Sequence, residues 1–353
     1  MRIGIFDPYL DTLGGGEKYI LDIASYFASD NDVFIFWNDT SIKKRWEERF
    51  NIKSDNINIT ENIFLSKSNL LKRFFQTRCY DVIIYMSDGS IPFLFSKKNI
   101  LIFQFPVHGI NGKSLINDFK LKRINAVICY STYVKSIIDK QYGFRSRVLP
   151  PYVDLQIAKN TEKENIILNV GRFTDGINAK KQEVLIDEFK RLYDSGIKNW
   201  KFVLIGSYLR DDEAFVRKIK DKIKQYPITL LANVSYDKLV EHYQKAKIYW
   251  HATGFGENLE KHPEKAEHFG ISTVEAMRAG AVPVVINAGG QREIVENGKS
   301  GFLWNSLEEL LGKTKDLIMR EELWKKMSTS AIERSKIFNK NRFCNELKKI
   351  INE

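Results

Sequence analysis

Apolar runs without alternation recur along the first half of the chain, and helical patterns separate them. The runs occupy residues 3–6, 33–37, 81–86, 100–103 and 126–130. The spacing of apolar and polar residues predicts helices at 41–50, 114–122 and 132–142. Unbroken apolar strands separated by helices are typical of a parallel sheet that is covered on both faces. The pattern therefore predicts an α/β doubly wound unit.

The same pattern returns in the second half of the chain. Apolar runs occupy 166–170, 202–206, 228–231, 248–251 and 282–286, with helices predicted at 183–192, 211–226 and 236–246 and a helical tail from 321 onward. Between the halves, the two prolines of Pro150–Asp154 stiffen the chain, and the segment 156–164 is polar. A chain of 353 residues is also long for a single core. We therefore predict two domains with a boundary at this point.

The stretch from Glu267 to Glu275 reads Glu-His-Phe-Gly-Ile-Ser-Thr-Val-Glu and precedes a buried strand. The residues around Gly270 break the periodicity, so backbone N–H groups are expected to be free at a helix start, which is a ready anion site. Ser272 or Thr273 is the expected cap of this helix. Each acid alone has a plain alternative, since Glu275 would favour the helix dipole and Glu267 would be a solvated loop residue.

Three further segments have the chemistry of a phosphate or sugar site. Gly14–Glu17 lies between a strand and a helix, where backbone N–H groups can approach a phosphate, although such glycines also serve close packing. Arg172 follows the strand 166–170, and Lys180 follows a polar loop. A guanidinium and an ammonium above a sheet suit a diphosphate, although most Lys and Arg side chains are only solvated.

The spacing of Glu267 and Glu275, with Phe269-Gly270 between them, resembles the Glu-x7-Glu signature of family-4 retaining glycosyltransferases, which use nucleotide-sugar donors. Pro150–Asp154 is similar to the Pro-Pro-x-Val-Asp linker of that family. Arg172 and Lys180 match its Val-Gly-Arg and Lys-Gly element, although Lys181 stands where the family usually has glycine.

The resemblance implies an α/β fold of the GT-B class, with two Rossmann-like doubly wound parallel-sheet domains and a cleft between them. Residues 1–155 would form the acceptor-side domain, and residues 156–335 would form the donor domain. The last residues, 336–353, would form a helix that crosses back to the first domain.

The resemblance also implies roles for individual residues. Glu267 would hold the hydroxyl groups of the donor sugar, and Glu275 would hold the ribose. The predicted catalytic residues are Glu267, Arg172 and Lys180. The predicted donor-binding residues are Gly15, Gly16, Arg172, Lys180, Asn233, Glu267, Phe269, Gly270, Ile271 and Glu275. No metal ligand and no cofactor are expected, because cations and N–H groups would hold the departing diphosphate.

Composition and charge narrow the class of protein. The chain is 43% hydrophobic and 28% charged, and no apolar run approaches the roughly 20 residues of a membrane span. Met1 leads directly into a strand, so no signal peptide is expected. The three cysteines are scattered, which favours a reducing cytoplasm over a disulfide framework. A net charge of +11 implies anionic partners, but no nucleic-acid motif accompanies it.

Three segments leave alternatives open. Residues 66–78 form a basic amphipathic pattern, which predicts either a contact with an anionic membrane or a helix packed on its sheet with a solvated basic face. Gln104 and His108 lie near the end of a strand, where many relatives have a His-x-Pro motif, and their part in catalysis stays open. The long segment 254–265 favours a flap that closes over the donor, with a metal site as the alternative.

The predicted function is retaining transfer of a sugar from a UDP- or GDP-sugar to a glycan, lipid-linked or polysaccharide acceptor. The expected location is the cytoplasm, with a candidate peripheral position at the inner membrane face. Two alternatives remain open: a nucleotide-sugar epimerase of GT-B fold, and a non-catalytic module that binds polyanions or membranes.

Overall fold

The computed structural model describes residues 1–53, 55–65, 69–107, 109–158, 161–176 and 179–352. The chain divides into two compact units. One comprises Met1–Pro151 and Phe343–Glu353, and the other comprises Tyr152–Arg342. The sequence prediction put these limits at 155/156 and 335/336.

The first unit contains a parallel seven-stranded sheet in the order β3-β2-β1-β4-β5-β6-β7. Its strands are β1 (Arg2–Phe6), β2 (Asp32–Phe36), β3 (Ile57–Thr60), β4 (Val82–Met86), β5 (Lys98–Phe103), β6 (Ala126–Cys129) and β7 (Arg147–Val148). Its helices are α1 (Gly15–Phe27), α2 (Ile42–Phe50), α3 (Leu70–Thr77), α4 (Leu115–Leu121) and α5 (Thr132–Tyr142). All five residues of the central strand β4 are buried, as expected from its unbroken apolar sequence.

The second unit contains a parallel six-stranded sheet in the order β10-β9-β8-β11-β12-β13. Its strands are β8 (Glu164–Val170), β9 (Lys201–Gly206), β10 (Ile228–Ala232), β11 (Ala246–His251), β12 (Val282–Ile286) and β13 (Phe302–Trp304). Its helices are α6 (Gln182–Asp194), α7 (Glu213–Lys222), α8 (Tyr236–Lys245), α9 (Ile271–Arg278), α10 (Gln291–Ile294), α11 (Leu307–Met319) and α12 (Glu321–Ser335). The last helix, α13 (Lys340–Asn352), packs from Phe343 onward with the first unit.

The predicted architecture of two Rossmann-like parallel-sheet units is confirmed. The differences are local. The sequence analysis missed β3, β7, β13, α10 and α11. The helix predicted at 211–226 is a 3₁₀ turn at Arg210–Asp212 followed by the shorter α7. Gly15 and Gly16 are the first residues of α1, whereas the sequence analysis put them in a loop before it.

Two neighbouring strands of the second sheet approach each other closely at their carboxyl ends. A β-carbon on Gly206, at the end of β9, would lie 2.0 Å from the carbonyl oxygen of Gly171 after β8. Only glycine fits this approach, which brings the loops that follow the two strands together. Ligands of open α/β sheets bind at this edge.

One lysine amine joins the carboxyl ends of α8 and α9, and burial lowers its pKa to about 7. Lys163 Nζ donates hydrogen bonds to the carbonyl oxygens of Ala246 and Ala279, at 2.8 and 2.7 Å. Both acceptors follow the last residue of a helix, where carbonyl groups lack partners within the helix and cations are favoured. Lys163 thus positions two helices that both contribute to the site described below.

Among the described residues, every helix is too short or too polar to cross a membrane.

Candidate active site

The start of α9 presents backbone N–H groups without acceptors. Gly270 has φ +117°, a left-handed conformation that favours glycine, and the helix begins at the next residue. Among the described residues, none accepts a hydrogen bond from the N–H groups of Phe269, Gly270 or Ile271. The N-terminus of this helix therefore has the free donors that the sequence predicted for an anion site, and the binding of an anion there stays a prediction.

The predicted cap of this helix was wrong. Gly270 occupies the cap position, and no side chain caps the helix. Ser272 lies inside the first turn, where its Oγ accepts a hydrogen bond from the hydroxyl of Tyr249 at 2.7 Å. Thr273 is fully buried. Because Gly270 is the cap residue, the helix has already begun at Ser272 and Thr273, and neither of them occupies the cap position.

A glycine pair after β12 holds the turn that precedes α9. The N–H of Gly290 donates to the carbonyl oxygen of Glu267 at 2.8 Å. A β-carbon on Gly289 would lie 2.2 Å from that oxygen, and one on Gly290 would lie 2.5 Å from Cα of Phe269. The sequence analysis did not assign this pair to the site. Its close packing fixes the backbone between the acid and the helix start.

Gln291, the next residue, is also part of this site. Its side chain is fully buried, and both polar atoms of its amide lack partners among the described residues. A β-carbon on Gly270 would lie 2.7 Å from its Nε2 atom, so the amide packs directly against the start of α9. A buried amide without partners suits a polar ligand.

Glu267 lies at the centre of a charged cluster. Its Oε2 atom accepts hydrogen bonds from Lys180 Nζ and from His251 Nε2, each at 2.8 Å. Thr253 Oγ1 lies 3.2 Å from the same histidine nitrogen. The side chains of Lys180 and Glu267 are only 16% and 13% exposed, so water screens this ion pair weakly. The sequence analysis named the lysine and the glutamate as site residues but did not assign this histidine to the site.

The cluster sets the protonation states of its members. Burial raises the pKa of Glu267, but the ammonium of Lys180 and the hydrogen bond from His251 outweigh burial and hold the pKa well below its usual range. Burial lowers the pKa of His251 below 6.5, against the opposing effect of Glu267. At neutral pH, the glutamate is therefore an anion that accepts hydrogen bonds, and the histidine is a neutral donor.

Arg172 lies on the loop that follows β8 and has an exposed side chain. Its carbonyl oxygen accepts a hydrogen bond from Gln182 Nε2 at 2.9 Å, which ties the loop to α6. No acid among the described residues pairs with the guanidinium. On the same loop, a β-carbon on Gly171 would lie 2.7 Å from Cγ of Lys180, so a glycine is needed for that lysine to cross over toward Glu267.

Glu275 and Asn233 lie on neighbouring parts of the same unit. Glu275 is half-buried in α9, and its Oε2 atom accepts a hydrogen bond from the hydroxyl of the fully buried Tyr243 at 2.8 Å. Asn233 follows β10 with an exposed side chain and φ +53°. Its N–H donates to the carbonyl oxygen of Gly206 at 2.9 Å. Glu275 and Asn233, both predicted to bind the donor, thus belong to the same unit as Arg172.

Gly15 and Gly16 belong to the first unit. A β-carbon on Gly16 would lie 1.8 Å from Oε1 of Gln104, and the Gly16 carbonyl oxygen accepts a hydrogen bond from Tyr130 at 3.2 Å. The side chain of Gln104 therefore packs on this glycine. That the two glycines approach the donor diphosphate stays a prediction. His108 lies outside the described residues.

An ion pair ties the segment 254–265 to the start of α6. Glu257 contacts Lys181 at 2.6 Å and Lys265 at 2.7 Å, and these hydrogen bonds lower its pKa to about 2. Lys181 has φ +55°, a conformation that favours glycine, and the family usually has glycine at this position. Lys181 thus has a backbone conformation that is unfavourable for lysine, and its side chain makes an ion pair with Glu257, which lies far along the chain. The predicted flap stays a prediction.

The metal-site alternative for the segment 254–265 would use the histidines in or beside it, which are His251, His262 and His268. His262 contacts the Glu264 carboxylate at 3.2 Å, and His268 Nε2 contacts the Glu264 carbonyl oxygen at 2.9 Å. Within the part of the chain that the structure describes, no three His, Cys, Asp or Glu side chains are grouped so that they could hold a metal ion.

His268 should make stability depend on pH. Burial lowers its pKa from 6.5 to about 4, against the opposing effect of Glu267. The unfolded state then binds the proton more tightly, so stability that is present above about pH 6.5 is lost as the pH falls toward 4. We expect the melting temperature to fall across this window and to fall less in His268→Gln. Parallel curves for the two proteins would contradict the assignment.

Comparison with known families agrees with this geometry. A sequence model of the family described as "Glycosyl transferases group 1" matches residues 154–334, which is just over half of the 353 residues. The matched range contains Arg172, Lys180, Glu267 and Glu275. The chain belongs to this family. The resemblance found in the sequence is thereby confirmed.

Individual group 1 relatives are distant in sequence. A GDP-Man:Man(3)GlcNAc(2)-PP-Dol alpha-1,2-mannosyltransferase of Dictyostelium discoideum is 26% identical over 62% of this chain, which spans only 44% of that relative. An uncharacterized glycosyltransferase of Methanocaldococcus jannaschii is 27% identical, with 75% of this chain and 72% of the relative covered. An alpha-1,3/1,6-mannosyltransferase of Dictyostelium discoideum is 23% identical over 86% of each chain.

Solved structures share the fold of this group 1 chain over its whole length. A glycosyltransferase from Rickettsia africae superposes with a TM-score of 0.79 at 19% identity, over 99% of this chain and 97% of the other. Anabaena HepE, crystallised in complex with UDP, gives 0.75 at 18% identity over all of both chains. At this level of identity, the similarity concerns the fold alone, and it confirms the predicted GT-B class.

Proposed function

We propose that this group 1 glycosyltransferase transfers a sugar from a UDP- or GDP-sugar to a glycan, lipid-linked or polysaccharide acceptor, with retention of anomeric configuration. The observation that supports it best is the contact of Lys180 and His251 with Glu267, followed by free N–H groups at the start of α9. Cations and bare amides suit a diphosphate, and a buried carboxylate suits sugar hydroxyl groups.

The chemical task is to stabilise the leaving group. As the anomeric C–O bond breaks, negative charge grows on the diphosphate, and positive charge develops on the sugar ring. Arg172, Lys180 and the N–H groups of Phe269, Gly270 and Ile271 would hold that negative charge. A lysine ammonium has three donors, so Lys180 can contact Glu267 and a phosphate oxygen at the same time.

Glu267 would orient the donor sugar. Both contacts described above are made by its Oε2 atom, and Oε1 accepts no hydrogen bond from the described residues. A carboxylate that is held in place through one oxygen can accept sugar hydroxyl groups through the other. Its negative charge would also favour the positive charge that develops on the sugar ring.

Retention would proceed by attack from the face that the leaving group departs from, without a covalent intermediate. This step is a family analogy, and no side chain of the site is assigned as a nucleophile. The proposed mechanism needs no divalent cation, because the positive groups of the chain would neutralise the diphosphate. A chelator should leave the rate unchanged; a rate that falls and returns with added Mg²⁺ would refute this part of the proposal.

The names of two similar proteins indicate the chemical class of the nucleotide donor and of the acceptor. The name of the Dictyostelium alpha-1,2-mannosyltransferase contains a GDP-linked donor and a dolichol-linked acceptor. HepE was crystallised with UDP. These names support a UDP- or GDP-linked donor and a lipid-linked acceptor for this chain.

A product assay tests the proposal against its alternatives. The protein is incubated with UDP- and GDP-sugars, with and without lipid-linked and glycan acceptors, and products are separated by mass spectrometry. Nucleotide release that depends on the acceptor, with mass added to it, supports transfer. Release of UDP and an altered sugar without any acceptor would indicate an epimerase. Unchanged donor under all conditions would favour a non-catalytic module.

Glu275→Gln should weaken nucleotide binding. The predicted hydrogen bonds from ribose hydroxyl groups to this carboxylate would each contribute about 1.5–3 kcal/mol, so affinity for UDP or GDP should fall by roughly 10- to 150-fold. Isothermal titration calorimetry measures this change. Glu308→Gln, at an acid that is 75% exposed on α11, is the matched control and should bind as the parent does. Unchanged affinity in Glu275→Gln would remove the ribose assignment.

A further inference from the structure

Exposed apolar side chains are concentrated in one part of the first unit. Twelve large apolar side chains among the described residues are exposed, and seven of them lie on α3, on α4 or just before α3. These seven are Leu65, Leu70, Leu71, Phe75, Leu115, Ile116 and Phe119, with exposed fractions from 50% to 89%. Single exposed apolar residues are ordinary, but a concentration of them indicates an interaction surface.

The two helices bury very little within their own unit. Thr77 is the only described residue of α3 that is buried, and α4 has no buried residue. Short helices draw most of their stability from packing of an apolar face. Leu121 of α4 packs against the core of the unit and Phe74 of α3 packs on Phe95, but most other apolar side chains of the two helices are exposed.

A row of aromatic rings joins the two helices into one surface. The ring of Phe74 on α3 lies 4.7 Å from that of Phe95, and Phe95 lies 6.4 Å from Phe93. Phe93 in turn lies 6.4 Å from Phe119 on α4. Burial lowers the pKa of Lys120 on α4, and the nearby charge of Arg73 on α3 lowers it further. The two helices thus border one continuous surface, with Phe93 and Phe95 between them.

The surface is strongly basic. Segments 70–79 and 113–123 contain seven Lys and Arg residues and one acid, Asp118. Several cations lie on the aromatic row: Arg78 is 5.1 Å from the ring of Phe74, and Arg123 is 5.1 Å from that of Phe95. Such a surface has the charge that complements anionic lipid headgroups, and leucine and phenylalanine beside Lys and Arg are typical of interfacial helices.

We propose that α3 and α4 together form the surface through which this protein binds an anionic lipid bilayer. Leu70, Leu71 and Phe75 of α3 and the apolar residues of α4 enter the headgroup region, and the surrounding cations contact lipid phosphates. The sequence had suggested only the segment 66–78 for such a contact. The structure adds α4 and the aromatic row between the helices, and residues 66–68 lie outside the described part.

Vesicle co-sedimentation tests the proposal. The protein should sediment with phosphatidylcholine vesicles that contain phosphatidylglycerol, less with phosphatidylcholine alone, and less at high salt, because salt screens exposed charges. Leu71→Ser/Phe75→Ser and Ile116→Ser/Phe119→Ser should each lower partitioning at least about tenfold, which corresponds to about 1.4 kcal/mol. Met319→Ser, at a residue 77% exposed on α11, is the matched control and should sediment as the parent does.

Three outcomes would overturn the proposal: no sedimentation of the parent with anionic vesicles, parent-like binding by both α3 and α4 variants, or an equal loss in the Met319 control. Sedimentation velocity without lipid tests whether a second copy of the chain binds this surface instead. A dimer of the parent that both double variants abolish would assign the surface to a second copy of the chain. Melting temperatures and UDP or GDP affinity should be unchanged in all variants, which separates this test from the proposed transferase activity.

Discussion

Arg172→Ala combined with Lys180→Ala should reduce turnover at least about 100-fold, because each charged donor aimed at a departing oxyanion contributes about that much. The loss should appear mainly in kcat, since the charge on the leaving group grows only as the bond breaks. Steady-state rates with a nucleotide sugar and an acceptor measure the effect, and circular dichroism checks the fold.

A matched control removes two positive charges elsewhere. Lys218 and Lys224 are 66% and 72% exposed and lie outside the cluster around Glu267. Lys218→Ala/Lys224→Ala should have near-parental rates. If the Arg172/Lys180 variant folds and also retains near-parental turnover, the leaving-group role fails. If both double variants lose activity equally, the effect belongs to net charge and not to the site.

Glu267→Gln should lower both activity and stability. Turnover should fall about 100-fold, since the amide cannot supply the charge that favours the developing cation. The substitution also leaves the ammonium of Lys180 in a largely buried place without its counter-ion. Removing one partner of a buried pair costs about 3–5 kcal/mol, and partial exposure should reduce this toward the lower limit. Chemical denaturation and initial rates measure the two effects.

A double variant separates the two effects. In Glu267→Gln/Lys180→Met, no unpaired charge remains in the pair, so the stability lost by Glu267→Gln should largely return. Activity should not return, because both groups are proposed to act on the donor. Recovery of turnover along with stability would mean that Glu267 has only a structural role. A single variant that is as stable as the parent would instead show that water screens the pair well.

The strands at the centre of each sheet could be predicted because burial on both faces makes them unbroken apolar runs. β12 is an example, since all five of its residues are apolar and buried. The missed strands are edge strands. β3 alternates apolar and polar residues over four positions, β7 has only two residues, and β13 has three. Edge strands need less apolar surface, so the pattern is weak there.

The candidate site also has one part that could be predicted from the sequence and one part that could not. Residue types and spacing suggested Arg172, Lys180 and Glu267. They did not predict that Lys180 and Glu267, 87 positions apart, contact each other, or that His251 contacts the same oxygen. Such contacts depend on how β8, β11 and the turn before α9 pack. The predicted cap was wrong because the left-handed Gly270 takes the cap position. The Gly289-Gly290 turn, which is distant in sequence, packs against the residues just before it.

Lys181 has a consequence for stabilising this protein. A non-glycine residue at positive φ stores backbone strain of about 1 kcal/mol or more, and glycine at such a position relieves it. Lys181 would be selected by that rule, but its side chain also anchors Glu257. A glycine there would relax the backbone and at the same time remove the ion pair that ties the 254–265 segment to the start of α6. A thermostabilised variant designed on backbone geometry alone would therefore lose the anchor of that segment.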